Sequence, residues 1–95
     1  MNSENLERSV MEDRLNKELH TLLLHTRDRL KLTQSAMANR YFMAKNTYWD
    51  LEANNHGFSL LTAFLLLYDQ DDLREVVEDL HNKMEQSLKE VTILI

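Results

Sequence analysis

Residues 32–54, LTQSAMANRYFMAKNTYWDLEAN, decide the fold that this sequence predicts. Thr33 is a good N-cap for a short helix, and Met37 and Tyr41 turn one side of that helix inward because they are spaced i, i+4. A corner follows, and the next helix is predicted over residues 44–53. Two helices that are separated by a turn of three or four residues form a helix-turn-helix unit.

The helix predicted over residues 44–53 has an apolar side and a polar side. Tyr48 and Leu51, at i and i+3, form its inward pair. The side chains left on its other faces are those of Lys45, Asn46, Trp49 and Asp50. The second helix of a helix-turn-helix unit can enter the DNA major groove, so these residues are candidate base readers. A solvated helix face is the simpler interpretation, and Trp49 also suits a cover over the edge of the core.

The composition favours helices over sheets. The 95 residues, of which 43% are hydrophobic, are enough for one domain spanning 1–95. Proline is absent and Gly57 is the only glycine, so a sandwich, a barrel or a glycine-rich phosphate loop is not expected. The absence of cysteine excludes disulfides, thiolate zinc sites and a cysteine nucleophile.

The sequence predicts a cytoplasmic protein without a membrane segment. Residues 1–13 are polar and acidic and do not look like a signal peptide. The longest apolar run, residues 60–68, is too short to span a bilayer.

The apolar spacing predicts five helices in one bundle. An extended first helix starts at Ser3 and continues to about Arg29, and the clearest break after the central unit lies at residues 54–57. The fourth helix, Leu60 to Tyr68, is apolar almost all round, which suits the centre of a small bundle.

A long amphipathic fifth helix is predicted within residues 70–92. Its heptad-like spacing places two lines of side chains on one face, namely Val77, Met84 and Val91 on one line and Leu73, Leu80, Ser87 and Leu94 on the other. Such a helix can fold back onto its own domain, or it can pair with a second copy of the chain. With the N-terminal extension, residues 1–20, it is expected to build a homodimer interface.

The net charge of −5 is unusual for a DNA-binding protein, but the charge is unevenly distributed. Residues 27–56 have five basic and three acidic side chains and are the only net-positive segment, at +2. The local charge matters more than the total charge when contact is confined to one face.

The segment from Arg27 to Tyr68 resembles the phage-repressor and Cro-like helix-turn-helix family, also called XRE-like. The resemblance is based on Leu32-Thr33-Gln34, Ala38, Leu51-Glu52 and Phe58-Ser59-Leu60. It implies a lambda-repressor-like helix-turn-helix core over about residues 21–68, and a sequence-specific, homodimeric, DNA-binding transcriptional regulator that reads the major groove of double-stranded DNA with helix 44–53.

The resemblance also implies roles for single residues. Gln34 matches a glutamine that contacts a phosphate or a base edge. Lys45, Asn46, Thr47 and Asp50 match positions that face the major groove, where they can bind guanine, adenine, a thymine methyl group and cytosine, respectively. Trp49 lies beside them and can donate its indole N–H to a phosphate. Arg27 and Glu52 match a structural ion pair that joins helix one to the end of helix three.

Four positions depart from the family pattern, and one of them is Ala53, where the family commonly has a basic residue. Phe42 stands where the family has glycine, and a positive φ at a bulky residue is strained. Ala44 replaces the Ser or Thr that caps helix three, and Asp50 places a negative charge near phosphates. These departures motivate the alternative function, a helix-turn-helix-derived protein-binding module (adaptor, antirepressor or antitoxin-like).

Neither an enzyme nor a metal or cofactor site is predicted. The four histidines are scattered, and His20 and His25 are spaced i, i+5, which is a poor spacing for one helix face. There is no His-Glu-x-x-His sequence and no recognisable set of nucleophile, base and orienting residue.

Overall fold

The structure, a computed structural model, describes residues 3–93 and shows an all-α bundle. Its five helices are α1 (Ser3–Leu30), α2 (Gln34–Arg40), α3 (Lys45–Glu52), α4 (Leu60–Tyr68) and α5 (Leu73–Ile93). The predicted all-α, five-helix architecture is confirmed. Within the described residues, no helix is both long and apolar enough to cross a membrane.

The short helices begin where the sequence places capping side chains. The Thr33 hydroxyl accepts a hydrogen bond from the backbone N–H of Ala36 at 3.1 Å, and Ser59 Oγ accepts one from Thr62 at 3.2 Å. Each bond satisfies an N–H that has no partner inside the helix. Ala44, at the N-cap of α3, provides no such bond, as its side chain predicts.

Three helices end in Schellman motifs, and in each case the residue after the C-cap has a positive φ. After α2, the N–H of Met43 donates to the carbonyl of Ala38 at 3.0 Å and the N–H of Phe42 donates to that of Asn39 at 3.3 Å. The φ values are 56° at Lys31, 59° at Phe42 and 61° at Asn54. Glycine is the residue that this position favours. The strained φ expected at Phe42 is therefore confirmed.

The core forms where α1, α2, α3 and α4 meet. Its buried hydrophobic side chains are Leu19, Leu23, Met37, Ala38, Tyr41, Tyr48, Leu51 and Leu66. The buried hydroxyl of Thr26 is fully used, since it donates to the Leu22 carbonyl at 2.8 Å and accepts from Gln70 Nε2 at 2.9 Å. This contact joins α1 to the C-terminal end of α4.

The fifth helix folds back along α1 in the antiparallel direction. Ion pairs join the two helices, with Lys83 Nζ 3.3 Å from Glu18 Oε2 and Arg14 paired with Glu90. The side chains of α5 that lie inward are those of Val76, Leu80, Met84 and Val91.

The predicted heptad positions that are buried or half-buried are Leu80, Met84, Ser87 and Val91, so the prediction is wrong only at the N-terminal end of α5. Leu73 and Val77 are about half exposed, as is Leu88, because α5 presents Val76 rather than Val77 to α1. Leu94 lies outside the described residues. The apolar sides of the two long helices thus cover each other within one chain.

The expectation that α4 occupies the centre of the bundle is wrong. Only Thr62 and Leu66 of this helix are buried, and they lie on one side of it. Leu60, Leu61, Phe64 and Tyr68, which lie on the opposite side, are exposed. The 28-residue α1 packs against α3, α4 and α5 and takes the central place, so α4 is left at the edge with one covered face.

Candidate nucleic-acid interface

The outer face of α3 is open to solvent. Lys45, Asn46 and Thr47 are exposed, and Trp49 has 53% of its surface accessible. Tyr48 and Leu51 are buried and hold the helix against α1 and α2. Lys45, Asn46 and Trp49 therefore share the accessible outer side of α3, whereas Thr47 lies on its flank toward the loop that follows α3.

Asp50 is less free than its neighbours on α3. Asp50 is half-buried, and its Oδ1 accepts a hydrogen bond from Asn55 Nδ2 at 3.3 Å. The N–H of Asn55 also donates to the Asp50 carbonyl at 2.9 Å. These contacts direct the carboxylate toward the loop that follows α3.

The loop after α3 is attached to both α3 and α1. His56 Nε2 lies 3.2 Å from the Thr47 carbonyl oxygen, and the N–H of Phe58 donates to Asn16 Oδ1 at 2.9 Å. A Cβ atom on Gly57 would lie 2.8 Å from Asn16 Nδ2. The role of this glycine is therefore a close approach to α1, rather than the positive φ for which glycine is usually selected.

A buried carboxylate fixes the end of α3. The Glu52 cluster consists of Glu52, whose side chain is 7% exposed, together with Arg27, Gln34 and Tyr48. Arg27 Nε lies 2.6 Å from Glu52 Oε2, Gln34 Nε2 donates to Oε1 at 3.2 Å, and the Tyr48 hydroxyl donates to Oε2. One carboxylate thus joins α1, α2 and α3.

The Tyr48 hydroxyl is a stable donor in this cluster. Burial, and then its hydrogen bond to the Glu52 carboxylate, raise the pKa of Tyr48 well above its ordinary value. The phenol therefore keeps its proton throughout the physiological range. His20 adds a further contact, because its Nε2 lies 2.5 Å from the Glu52 carbonyl oxygen.

Gln34 belongs to the Glu52 cluster as well as to the predicted interface. It is half-buried at the first position of α2, and its amide nitrogen is directed at Glu52. A contact between this nitrogen and a phosphate would require the side chain to leave Glu52.

Most arginines near α3 are paired with carboxylates. Besides Arg27, Arg40 binds Asp69 through two contacts of 2.8 Å and 2.5 Å, and Arg29 Nη1 lies 3.0 Å from Asp71 Oδ2. Among the described residues, Lys31 and Lys45 form no ion pair. The unpaired positive charge near α3 therefore comes from these two lysines.

The contact between Arg40 and Asp69 is one that sequence reasoning missed. Asp69 follows α4, and its side chain is 4% exposed. The hydrogen bond from Arg40 lowers the pKa of Asp69 below its ordinary value, while burial opposes this shift. Burial and the nearby Asp69 also raise the pKa of Tyr41. Since 29 residues separate Arg40 from Asp69, no local spacing predicts the pair.

Within the described residues, no three His, Asp or Glu side chains are grouped so that they could hold a metal ion. Comparisons of the chain with protein-family models, with curated proteins and with solved structures found no significant match.

Proposed function

We propose that this chain is a sequence-specific, DNA-binding transcriptional regulator of the helix-turn-helix type. The observation that carries the proposal is that Lys45, Asn46 and Thr47, at the start of α3, are all exposed to solvent. A recognition helix reads base edges with the residues of its N-terminal half, and these three residues are the first three of α3.

The chemistry of the three side chains suits base recognition. Lys45 donates to guanine O6 and N7, Asn46 binds adenine through one donor and one acceptor, and the methyl group of Thr47 contacts the thymine methyl group. Trp49 lies near the sugar-phosphate backbone and donates its indole N–H there. Asp50 can accept a hydrogen bond from the amino group of cytosine only after its contact with Asn55 is broken.

The Glu52 cluster supports the same proposal by holding α3 in a fixed orientation. A recognition helix must enter the groove at a defined angle, and a buried carboxylate with partners on three helices restricts that angle. Gln34, once its amide nitrogen leaves Glu52, and the first amides of α2 would contact the DNA backbone. Two copies of the chain would bind the two halves of a palindromic site.

Alanine substitutions on α3 test the proposal. Lys45→Ala and Asn46→Ala are each expected to weaken binding to a site selected from random duplex DNA by about 1–3 kcal/mol, or roughly 5- to 150-fold. Lys17→Ala, which removes an exposed lysine from α1, is the matched control and should change the affinity by less than about twofold. Affinities measured by fluorescence anisotropy that are the same for all three variants would refute the proposal.

A protein-binding role without DNA contact is the second candidate function. The pairing of three arginines with carboxylates favours it, as does the exposed apolar side of α4. The dependence of DNA affinity on salt distinguishes the two functions. Lys31, the unpaired lysine that is not assigned to a base, predicts a slope of about −2 for log K against log salt concentration in a dimer, since each neutralised phosphate contributes about −0.9. A protein-binding module would show no measurable duplex binding at any salt concentration.

A further inference from the structure

A continuous apolar surface lies on the side of α4 that faces away from the core. The α4 patch consists of Leu60, Leu61, Phe64, Tyr68 and the neighbouring Phe42. Leu60 is 90% exposed, Phe42 is 78% exposed and Tyr68 is 75% exposed. The ring centroids of Phe64 and Tyr68 lie 6.4 Å apart, and Phe42 lines one groove with Leu61 and another with Tyr68.

The patch is larger than a monomer normally exposes. A large side chain has about 200 Å² of surface, and the five residues are 55% to 90% exposed, so together they expose roughly 700 Å². The largest apolar patch of a typical monomer covers about 300–600 Å². A standard interface buries about 800 Å² on each partner, which is close to the area available here.

The chemistry of the patch suits a second copy of the same chain. A two-fold interface brings each surface against itself, so a charged surface would repel its own copy whereas an uncharged apolar one would not. None of the five side chains carries a charge. A membrane surface is a poorer occupant, because the exposed Asp71 and Asp72 lie in the short link after α4 and anionic lipids repel them.

The backbone of Phe42 gives an independent indication. A phenylalanine with φ of 59° costs the folded monomer about 1–2 kcal/mol relative to glycine, and its exposed ring recovers little of this within the chain. The Schellman motif imposes this φ, and the corresponding positions after α1 and α3 hold the polar residues Lys31 and Asn54 rather than a large apolar one. Contact of the ring with a second copy would offset the cost.

We propose that two copies of this chain associate through the α4 patch, with Leu60 and Phe64 near the centre of the interface. The apolar sides of α1 and α5 are already covered by each other, so the two long helices offer less free apolar surface than α4 does. The inference specifies the surface of the proposed homodimer and rests on that part of the proposed function, not on DNA binding.

Glutamate substitutions in the patch test this inference by sedimentation equilibrium. The unaltered chain is expected to have twice its 11.3 kDa chain mass at about 100 μM, since interfaces of this size reach micromolar affinity or better. Leu60→Glu and Phe64→Glu should each raise the dissociation constant of the dimer at least tenfold. Leu60 is the first residue of α4, where a glutamate is favourable for the helix, so this variant should remain folded by circular dichroism.

Leu88→Glu is the matched control, because it places the same charge on a half-exposed leucine of α5. It should leave the dissociation constant unchanged. A monomeric unaltered chain would overturn the inference, and so would a dimer that is weakened by Leu88→Glu but not by the two α4 substitutions. If the two α4 substitutions weaken the dimer as expected but the unaltered chain binds no duplex DNA, the inference would be supported while DNA binding would be refuted.

Discussion

Substitution of Phe42 by glycine or by alanine isolates the backbone strain at the turn between α2 and α3. Both changes remove the ring, which is 78% exposed, so they lose the same side-chain contacts and weaken the α4 patch to a similar extent. They differ only in the Cβ atom. At a φ of 59°, a Cβ atom costs the folded state about 1–2 kcal/mol.

The unfolded state partly offsets this difference, because glycine loses about 0.4–1 kcal/mol more backbone entropy on folding than alanine does. The net expectation is that Phe42→Gly is more stable than Phe42→Ala by about 1 kcal/mol, which corresponds to roughly 5 °C in Tm for a domain of this size. Urea denaturation at one fixed chain concentration measures the free energy of unfolding of both variants.

Ala53 provides the internal control for this comparison. It is an exposed residue at the C-cap of α3 with a φ of −76°, so Ala53→Gly should destabilise the protein by about 0.5–1 kcal/mol. Glycine is therefore expected to be more stabilising than alanine at residue 42 and less stabilising than alanine at residue 53. An alanine at residue 42 that equals or exceeds glycine in stability would refute the assignment of a positive φ to Phe42.

Two further perturbations test the contacts that hold the helices together. Glu52→Ala removes the carboxylate that pairs with Arg27 and accepts the hydrogen bond of the Tyr48 hydroxyl. The free energy of unfolding measured in urea should fall by about 3 kcal/mol, with a smaller loss for Glu52→Gln. Equal stability of Glu52→Ala and the unaltered chain would contradict the role of the Glu52 cluster. Because Arg40 lowers the pKa of Asp69 below 3.8, this carboxylate stabilises the fold above that pH and loses its contribution as the pH falls through its folded pKa. Thermal unfolding between pH 6 and about pH 3 should therefore show a smaller loss of stability for Asp69→Asn than for the unaltered chain, and parallel curves would contradict this role.

The candidate interface was predictable in part. Lys45 and Asn46 could be assigned to the outer face of α3 because Tyr48 and Leu51 define its inner face by spacing alone. The hydrogen bond from the Gln34 amide to Glu52 could not be predicted in the same way. That contact depends on the angle between α2 and α3, and no residue spacing encodes an interhelical angle.

The sequence by itself determined the helices and their ends. Thr33 and Ser59 cap helices through bonds within three residues, and the apolar repeats are spaced for α-helices, so both signals are local. Tertiary structure alone decided which apolar side of α4 is buried and that Val76 rather than Val77 faces α1. A helix that is apolar all round has no preferred inner face, and only competition with α1 for the central position selects one.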